Sequence, residues 1–106
     1  MKIITICGSY RFVKEIKEVA EKLELAGNCV LAPIDLVTRD ESEYTAEEYQ
    51  LLGEMHKEKI RLSDAIFVVN VDNYIGTSTK NEIEFAKSLN KEVIYYTDFF
   101  KKSEAI

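Results

Sequence analysis

The chain has 106 residues, which is the size of one domain and leaves no room for a second hydrophobic core. Hydrophobic residues make up 46% and charged residues 31% of it, values near those of ordinary globular proteins, so neither a disordered chain nor a membrane protein is indicated. The net charge of −5 argues against nucleic-acid polymers as partners, because binding their backbone requires a basic patch that displaces counterions. We therefore expect a single domain over residues 1–106.

The beginning of the sequence and its apolar runs bear on localisation. The longest apolar run, residues 65–69, is far too short to span a bilayer. One Lys and a strand-like Ile-Ile-Thr-Ile open the chain, without the small-residue cleavage site of a signal peptide. We therefore expect a cytoplasmic protein that does not bind membranes.

Two cysteines and one histidine are the residues that most often bind transition metals. Cys7 and Cys29 each lie near the end of an apolar run, and neither belongs to a C-x-x-C or Cys/His pattern. We expect both to be buried free thiols that pack as small hydrophobes. Since His56 stands alone, without a spaced cluster of ligands, the sequence predicts no metal site.

The first part of the chain predicts two strands, one helix and a long loop. Gly8 ends the first strand, Gly27 caps the helix, and Pro33, the only proline, closes the second strand. The apolar residues between the strands recur with a helical period, whereas the segment after Pro33 is polar and aperiodic. The predicted elements are strands at 2–7 and 29–32, a helix at 12–26 and a loop at 34–44.

The second part of the chain repeats this alternation. Thr45 and Glu48 have the spacing of a capping box, and an apolar face then continues to about Leu62, which predicts a second helix. A third helix is expected to be capped at its start by Thr77 or Ser78. The remaining predicted elements are a strand at 65–70, a loop at 71–77, a helix end at Asn90, a strand at 92–96 and a helical or frayed tail at 98–106.

This alternation predicts an α/β fold: a single-domain, flavodoxin/Rossmann-like three-layer sandwich with a mainly parallel sheet of four to five strands. The strands are nearly all apolar, as expected when helices cover both faces of a sheet. In open parallel sheets ligands bind beyond the carboxyl ends of the strands. That rule directs attention to the loops at 8–12, 33–44 and 71–78. Two of these loops open a helix, whose backbone N–H groups could receive an anion.

The loop after the first strand has the residue types of an anion site. Gly8 allows a sharp turn, Ser9 offers a hydroxyl, and Arg11 offers a planar fork of donors suited to phosphate. Alternatively, Ser9 only caps the following helix and Arg11 is solvated. The G-x-G-x-x-G and G-x-x-x-x-G-K-[ST] patterns are both missing from the sequence, so we expect no dinucleotide cofactor, no P-loop and no other cofactor.

The third predicted helix contains a carboxylate in an unusual position. The residues three, four and seven positions after Glu82 are apolar, which is the spacing of one helix face: Phe85, Ala86 and Leu89. Glu84, by contrast, has Lys87 three residues on and is expected to face solvent. Glu82 is therefore either aimed into a site or a helix-start residue favoured by the helix dipole.

Three stretches, "CGSYR", "SDAIFVVNV" and "GTSTKNEIEFA", resemble motifs of the nucleoside 2-deoxyribosyltransferase superfamily, including its deoxynucleoside 5′-monophosphate N-glycosidase branch. The resemblance extends in layout over nearly the whole chain. The first stretch implies that Ser9 and Arg11 bind the nucleotide phosphate. The third resembles the family's Gly-rich loop followed by Glu-x-x-x-Ala, which implies that Glu82 is the catalytic nucleophile.

The resemblance implies cleavage or transfer of the N-glycosidic bond of a 2′-deoxynucleoside or its 5′-monophosphate. In such a reaction Glu82 attacks C1′ of the sugar as the base departs, and a second acceptor then takes the sugar. We expect the first turn of the helix to keep Glu82 ionised through the macrodipole. The alternative is a non-catalytic nucleotide-binding module, favoured by the loss of two family residues, a loop Asp near Gly76 and a first-strand tyrosine around Thr5.

The resemblance and the loop positions together imply a set of substrate-binding residues: Gly8, Ser9, Tyr10, Arg11, Asp35, Glu58, Gly76, Thr77 and Ser78. The group that contacts the departing base stays open among Glu54, His56, Glu58 and Asp35. His56 has the alternative of being a half-buried helix residue, and Asp64 is expected to be structural. Tyr10 and Tyr74 could stack on a base. The implied partners are a small nucleoside or nucleotide and further copies of the chain, in a dimer or larger homo-oligomer.

Overall fold

The computed structural model of the protein describes residues 1–34 and 41–104. Its helices and strands are β1 (Ile3–Cys7), α1 (Val13–Leu25), β2 (Cys29–Leu31), α2 (Ala46–Leu62), β3 (Ala65–Val68), α3 (Thr77–Ser88), β4 (Glu92–Tyr95) and α4 (Tyr96–Glu104). Short 3-10 turns lie at Tyr10–Phe12, Glu41–Glu43 and Val71–Asn73. Within the described ranges, no helix combines the length and the apolar character needed to cross a membrane.

The four strands form one parallel sheet in the order β2-β1-β3-β4. Ile4 in β1 lies opposite Val30 in β2 and opposite Ala65 in β3. The chain first adds β2 on one side of β1 and then β3 and β4 on the other. The strand order therefore reverses between β1 and β3, which is where flavodoxin-like sheets bind their ligands. The predicted parallel sheet is confirmed.

Helices cover both faces of the sheet. Because side chains alternate along a strand, Ile4 and Ile6 face one side of β1 while Thr5 and Cys7 face the other. The first side packs against α1 and α4 in a core that includes these residues: Ile4, Ile6, Ile16, Val19, Phe67 and Phe100. The second side packs against α2 and α3 in a core that includes Cys7, Ile60, Ile66, Val68, Ile83 and Ala86. The three-layer sandwich is therefore confirmed.

The start of α2 follows the sequence pattern and the start of α3 does not. The Thr45 hydroxyl accepts a hydrogen bond from the Glu48 backbone N–H at 3.1 Å, and the Glu48 carboxylate accepts one from the Thr45 N–H at 2.9 Å. The predicted capping box is present. In α3 the N-cap is Gly76, so the predicted cap by Thr77 or Ser78 is wrong. The helix begins earlier, and both hydroxyl residues lie in its first turn.

The two cysteines differ in burial. Cys7 is buried, as expected, at the end of the central strand β1. Cys29 is exposed, so the expectation of a second buried thiol is wrong. Cys29 begins β2, which in the described part of the chain lies at the edge of the sheet, with a neighbouring strand on one side.

Polar residues near β1 tie the sheet to the helices. Asp64 accepts a hydrogen bond from the backbone N–H of Ile3 at 2.8 Å, which agrees with the structural role expected for it. Thr5 is fully buried, hydrogen-bonds with the Ser63 hydroxyl and donates to the Lys59 carbonyl at 3.0 Å. The residue near the position of the family's tyrosine thus fastens the C-terminal turn of α2 to β1.

Candidate functional site

A cavity of about 660 Å³ opens at the carboxyl end of the sheet. Its walls come from the end of β1, the segment after β2, the inner face of α2 and the first turns of α3. The lining residues are Gly8, Ser9, Tyr10, Val13, Ile16, Pro33, Ile34, Tyr49, Leu52, Gly53, Met55, His56, Lys59, Gly76, Thr77, Ser78, Thr79 and Glu82. Most of the lining surface is apolar, which is typical of small-molecule sites.

Gly8 shapes the wall at the end of β1. A β-carbon at this position would lie 3.3 Å from both the Cβ and the carbonyl oxygen of Val69. That separation is tighter than most side-chain contacts, so a larger residue would push the turn away from β3. The close approach helps bring the loop that begins at Ser9 to the cavity.

Glu82 reaches the cavity from the second turn of α3, and its side chain is 21% exposed. One of its carboxylate oxygens lies 3.7 Å from His56 Nε2, and the Cys7 thiol lies within 4.8 Å of a carboxylate oxygen. Burial raises the pKa of Glu82 to about 7, against smaller opposing effects of the nearby Cys7 thiol and the Lys57 charge. The expectation that the helix start keeps Glu82 ionised is not met, because burial outweighs the helix dipole, which weakens beyond the first turn.

His56 lies on the inner face of α2 and is buried. Its Nε2 is 3.4 Å from Cys7 Sγ, while its Nδ1 has no hydrogen-bond partner among the described residues. Burial, helped by the Lys59 charge, lowers the pKa of His56 to about 4. The imidazole is therefore neutral near pH 7, and its proximity to Glu82 is not an ion pair of two full charges.

Cys7 is a residue that the sequence interpretation did not assign to the site. Burial raises the pKa of its thiol well above the usual value, and the neighbouring Glu82 carboxylate adds to this effect. The thiol is therefore protonated at neutral pH. The signal for its position was its place as the last residue of a buried strand, directly before the glycine turn.

The predicted loop residues meet in one wall of the cavity: Gly8, Ser9, Tyr10, Gly76, Thr77 and Ser78. Ser9 accepts a hydrogen bond from the Arg11 backbone N–H at 3.3 Å and thus also caps the turn that follows. The Tyr10 hydroxyl donates to the Ile34 carbonyl at 3.0 Å, which joins two sides of the cavity. The backbone N–H groups of the first turn of α3 add donors to this wall, because a helix start leaves them without intrahelical acceptors.

Glu58, which the sequence assigned to substrate binding, does not line the cavity. Glu54 and Glu58 lie two residues before and after His56, which places both on the opposite side of α2. Both are exposed, and the Glu58 carboxylate pairs with Arg61 at 2.8 Å. His56 is the member of this group that lines the cavity, and Asp35 lies outside the described residues.

Arg11 and Tyr74 contact each other outside the cavity lining. The Arg11 guanidinium lies 3.9 Å from the centre of the Tyr74 ring, and that ring packs edge-to-face on Phe12. Arg11 is exposed and does not line the cavity, in contrast to the role that the resemblance implied. The cation–π contact with Tyr74 holds the guanidinium on the outer surface of the turn.

The fold also brings together a set of side chains that can ligate a metal. Cys7, His56 and Glu82 each offer one ligand atom, and these atoms all lie within 4.8 Å of one another. The sequence predicted no such site, because the three residues come from β1, α2 and α3 and have no short spacing along the chain. Their proximity follows from the packing of α2 and α3 on the same face of the sheet.

The fold is shared with a solved structure, a 2-deoxyribosyltransferase from the psychrotolerant bacterium Bacillus psychrosaccharolyticus. The TM-score is 0.69, the sequences are 19% identical, and the match covers 88% of this chain and 70% of the other. The likeness establishes the fold. No protein-family model matches the sequence, and a comparison with curated proteins finds no match.

Proposed function

We propose that the protein cleaves or transfers the N-glycosidic bond of a 2′-deoxynucleoside or its 5′-monophosphate, with Glu82 as the nucleophile. The observation that carries the proposal is the position of Glu82, a partly exposed carboxyl group in a cavity at the β1/β3 switch point. The match to a 2-deoxyribosyltransferase and the sequence motifs around Glu82 support the same reaction.

In the proposed reaction the ionised Glu82 carboxylate attacks C1′ of the deoxyribose. The C1′–N bond breaks as the C1′–O bond to Glu82 forms, and the bonding electron pair leaves with the base, which takes up a proton. Water or a second base then attacks C1′ and releases Glu82. Since the pKa of Glu82 is about 7, only part of the enzyme carries the attacking carboxylate at neutral pH.

The two sides of the cavity suit the two ends of a nucleoside. Ser9, Thr77 and Ser78 offer hydroxyl groups beside the N-terminus of α3, where sugar hydroxyls or a 5′-phosphate would find donors. The first turns of α2 contribute Tyr49, Leu52 and Met55, a largely apolar surface suited to a planar base. The sugar would then lie between them, at Glu82.

His56 is better suited to orient Glu82 than to protonate the departing base. Its pKa of about 4 keeps the ring neutral, so it has no acidic proton to give near pH 7. With its proton on Nε2, the ring would offer an N–H to the carboxylate oxygen 3.7 Å away, a separation slightly beyond hydrogen-bond distance. If this contact tightens when substrate binds, it would hold one carboxylate oxygen and leave the other for C1′.

A nucleotide-binding module without catalysis is the second candidate. The raised pKa of Glu82 favours it, because a protonated carboxyl group is a poor nucleophile. Thr5, near the position of the family's tyrosine, is fully buried and hydrogen-bonded to Lys59 and Ser63, so its hydroxyl takes no part in the cavity.

Base release distinguishes the two candidates. The purified protein is incubated with each deoxynucleoside and each deoxynucleoside 5′-monophosphate, with and without an acceptor base, and products are separated by chromatography. We expect release by the wild type and by Glu84→Gln, an exposed carboxylate on the same helix, and at least about a 1,000-fold loss in Glu82→Gln. Absence of release from every substrate, with a nucleotide still raising the melting temperature, would establish the binding module instead.

A further inference from the structure

Cys7, His56 and Glu82 form a cluster of three different potential metal ligands, which we call the CHE cluster. The distance from Cys7 Sγ to His56 Nε2 is 3.4 Å, and that from His56 Nε2 to the nearer Glu82 oxygen is 3.7 Å. Each residue belongs to a different element, so the cluster is held by the packing of α2 and α3 against β1.

These distances fit a tetrahedral ion. Zinc bonds of about 2.3 Å to sulfur and about 2.0–2.1 Å to nitrogen or oxygen place pairs of ligand atoms roughly 3.3–3.6 Å apart at tetrahedral angles. The observed separations of 3.4 and 3.7 Å depart little from that arrangement, and the third pair, Cys7 Sγ and a Glu82 oxygen, lies within 4.8 Å. Rotation of the Glu82 side chain would bring its oxygen closer to the sulfur, so an ion could enter without movement of the backbone. A thiolate and an imidazole select zinc-class ions over magnesium or calcium.

We propose that the CHE cluster binds a divalent zinc-class ion, with the fourth coordination position open to the cavity. On binding, the S–H bond of Cys7 breaks, its proton passes to the buffer, and the sulfur keeps the electron pair that forms the bond to the metal. No oxidation or reduction is involved. His56 and Glu82 both line the cavity, so water or a ligand atom can complete the coordination.

The surroundings of His56 indicate that the ion is bound reversibly. A metal-bound histidine usually donates its other ring N–H to a carboxylate or carbonyl group, which fixes the ring and strengthens the bond. When Nε2 binds the ion, Nδ1 lacks such an acceptor among the described residues. We therefore expect a chelator to remove the ion from the folded protein.

The consequence for activity rests on the proposed glycosyl transfer. A Glu82 carboxylate that coordinates the ion is not free to attack C1′, so the ion and the sugar compete for the same oxygen atoms. Occupancy of the CHE cluster would therefore inhibit base release, and removal of the ion would restore it.

Binding of cobalt(II), followed by absorption spectroscopy, tests the CHE cluster independently of base release. The full-length protein is treated with a chelator, dialysed and titrated with Co²⁺, and the sulfur-to-cobalt charge-transfer absorption is recorded together with its displacement by Zn²⁺. We expect the band in the wild type and in Cys29→Ser, which removes the exposed thiol, and its loss in Cys7→Ser. His56→Gln and Glu82→Gln should weaken cobalt binding at least about tenfold.

Two results would overturn the site: no charge-transfer band in the wild type, or a band that persists in Cys7→Ser and disappears in Cys29→Ser. Circular dichroism verifies that each variant is folded, and the wild-type titration decides the question if Cys7→Ser is not. In the activity arm, one equivalent of Zn²⁺ should inhibit base release and a chelator should restore it. Base release without cobalt binding contradicts the CHE site alone, while cobalt binding without base release contradicts the glycosyl transfer alone.

Discussion

Burial changes the pKa of Glu82, the proposed nucleophile. Removal of the carboxyl group from water favours its neutral form, and the nearby Cys7 thiol and the Lys57 charge offset only part of this effect. The resulting pKa of about 7 places the change between acid and carboxylate within the range in which enzymes work. Two predictions follow from this value, one for activity and one for stability.

The rate of base release should depend on pH through Glu82. Because the ionised form attacks, kcat/KM of chelator-treated enzyme should rise about tenfold per pH unit below the Glu82 pKa of about 7 and level off above it. The profile is measured from about pH 5 to about pH 9, with Glu84→Gln as a control that should keep the same shape. A rate that is constant below pH 7 would contradict the assignment of Glu82 as nucleophile.

The ionisation of Glu82 should affect stability in the opposite direction, because the free energy of unfolding should fall as pH rises. The folded-state pKa of about 7 lies above the ordinary value of 4.5, so folding favours the protonated form, and this stabilisation is lost as pH rises from 4.5 through 7. At pH 8, Glu82→Gln should therefore exceed the wild type in free energy of unfolding by roughly 1–3 kcal/mol, and at pH 4.5 the difference should be small.

Denaturant unfolding of both proteins at the two pH values measures this effect. His56 acts in the opposite direction, because its lowered pKa of about 4 makes the folded state lose stability as pH falls below about 6.5. Since His56 is present in both proteins, the comparison largely isolates Glu82. Glu84→Gln, on the solvent side of α3, should stay within about 0.5 kcal/mol of the wild type. An equal gain for Glu82→Gln at both pH values would contradict the prediction.

At the scale of elements, the two helices that carry the site begin differently. Helix α2 has a complete capping box at Thr45, whereas α3 begins after Gly76, which has no side chain to accept a hydrogen bond. The open start of α3 leaves its first-turn N–H groups without a side-chain cap, at residues that line the cavity. In an ordinary helix a capping side chain would accept hydrogen bonds from these N–H groups. Here they stay available as donors to a ligand.

Alanine substitutions should reveal this difference. Thr45→Ala removes the acceptor for the Glu48 N–H and should lower the free energy of unfolding by about 1 kcal/mol. Thr77→Ala removes a hydroxyl that caps nothing and should change stability by less than about 0.5 kcal/mol. Chemical denaturation of both variants at one pH makes the comparison. A loss for Thr77→Ala as large as that for Thr45→Ala would mean that Thr77 caps α3 after all.

At the scale of the whole molecule, local patterns predicted the helices and strands well, but they did not predict which strands lie next to one another in the sheet. The helical period, the Thr45 capping box and the left-handed Gly27 that follows α1 all act within a few residues. Hence the sequence located the strands and helices within a few residues. The exposure of Cys29 was missed because it depends on β2 being an edge strand, which the order β2-β1-β3-β4 decides.

In the candidate site, too, the local features were predicted and those that depend on long-range contacts were not. The glycine turns, the hydroxyl residues and Glu82 were predicted because parallel sheets bind ligands at their carboxyl edge and because the motifs there are short and continuous. The structure places the predicted Glu58 outside the cavity lining, and Cys7 was overlooked. Which face of α2 meets the cavity, and which strand ends beside Glu82, depend on contacts between residues far apart in the chain.

The sequence by itself determined the alternation of strands and helices, the parallel three-layer fold and the candidate nucleophile. The alternation and the fold follow from side-chain periodicity and turn residues, which act locally, whereas the role of Glu82 is what the resemblance of its motif implies. Only the tertiary structure decided that Cys7 lies beside His56 and Glu82 at the cavity and that burial raises the pKa of Glu82 to about 7. Proximity requires the packing of α2 and α3 on β1, and the charge state depends on how much water that packing removes.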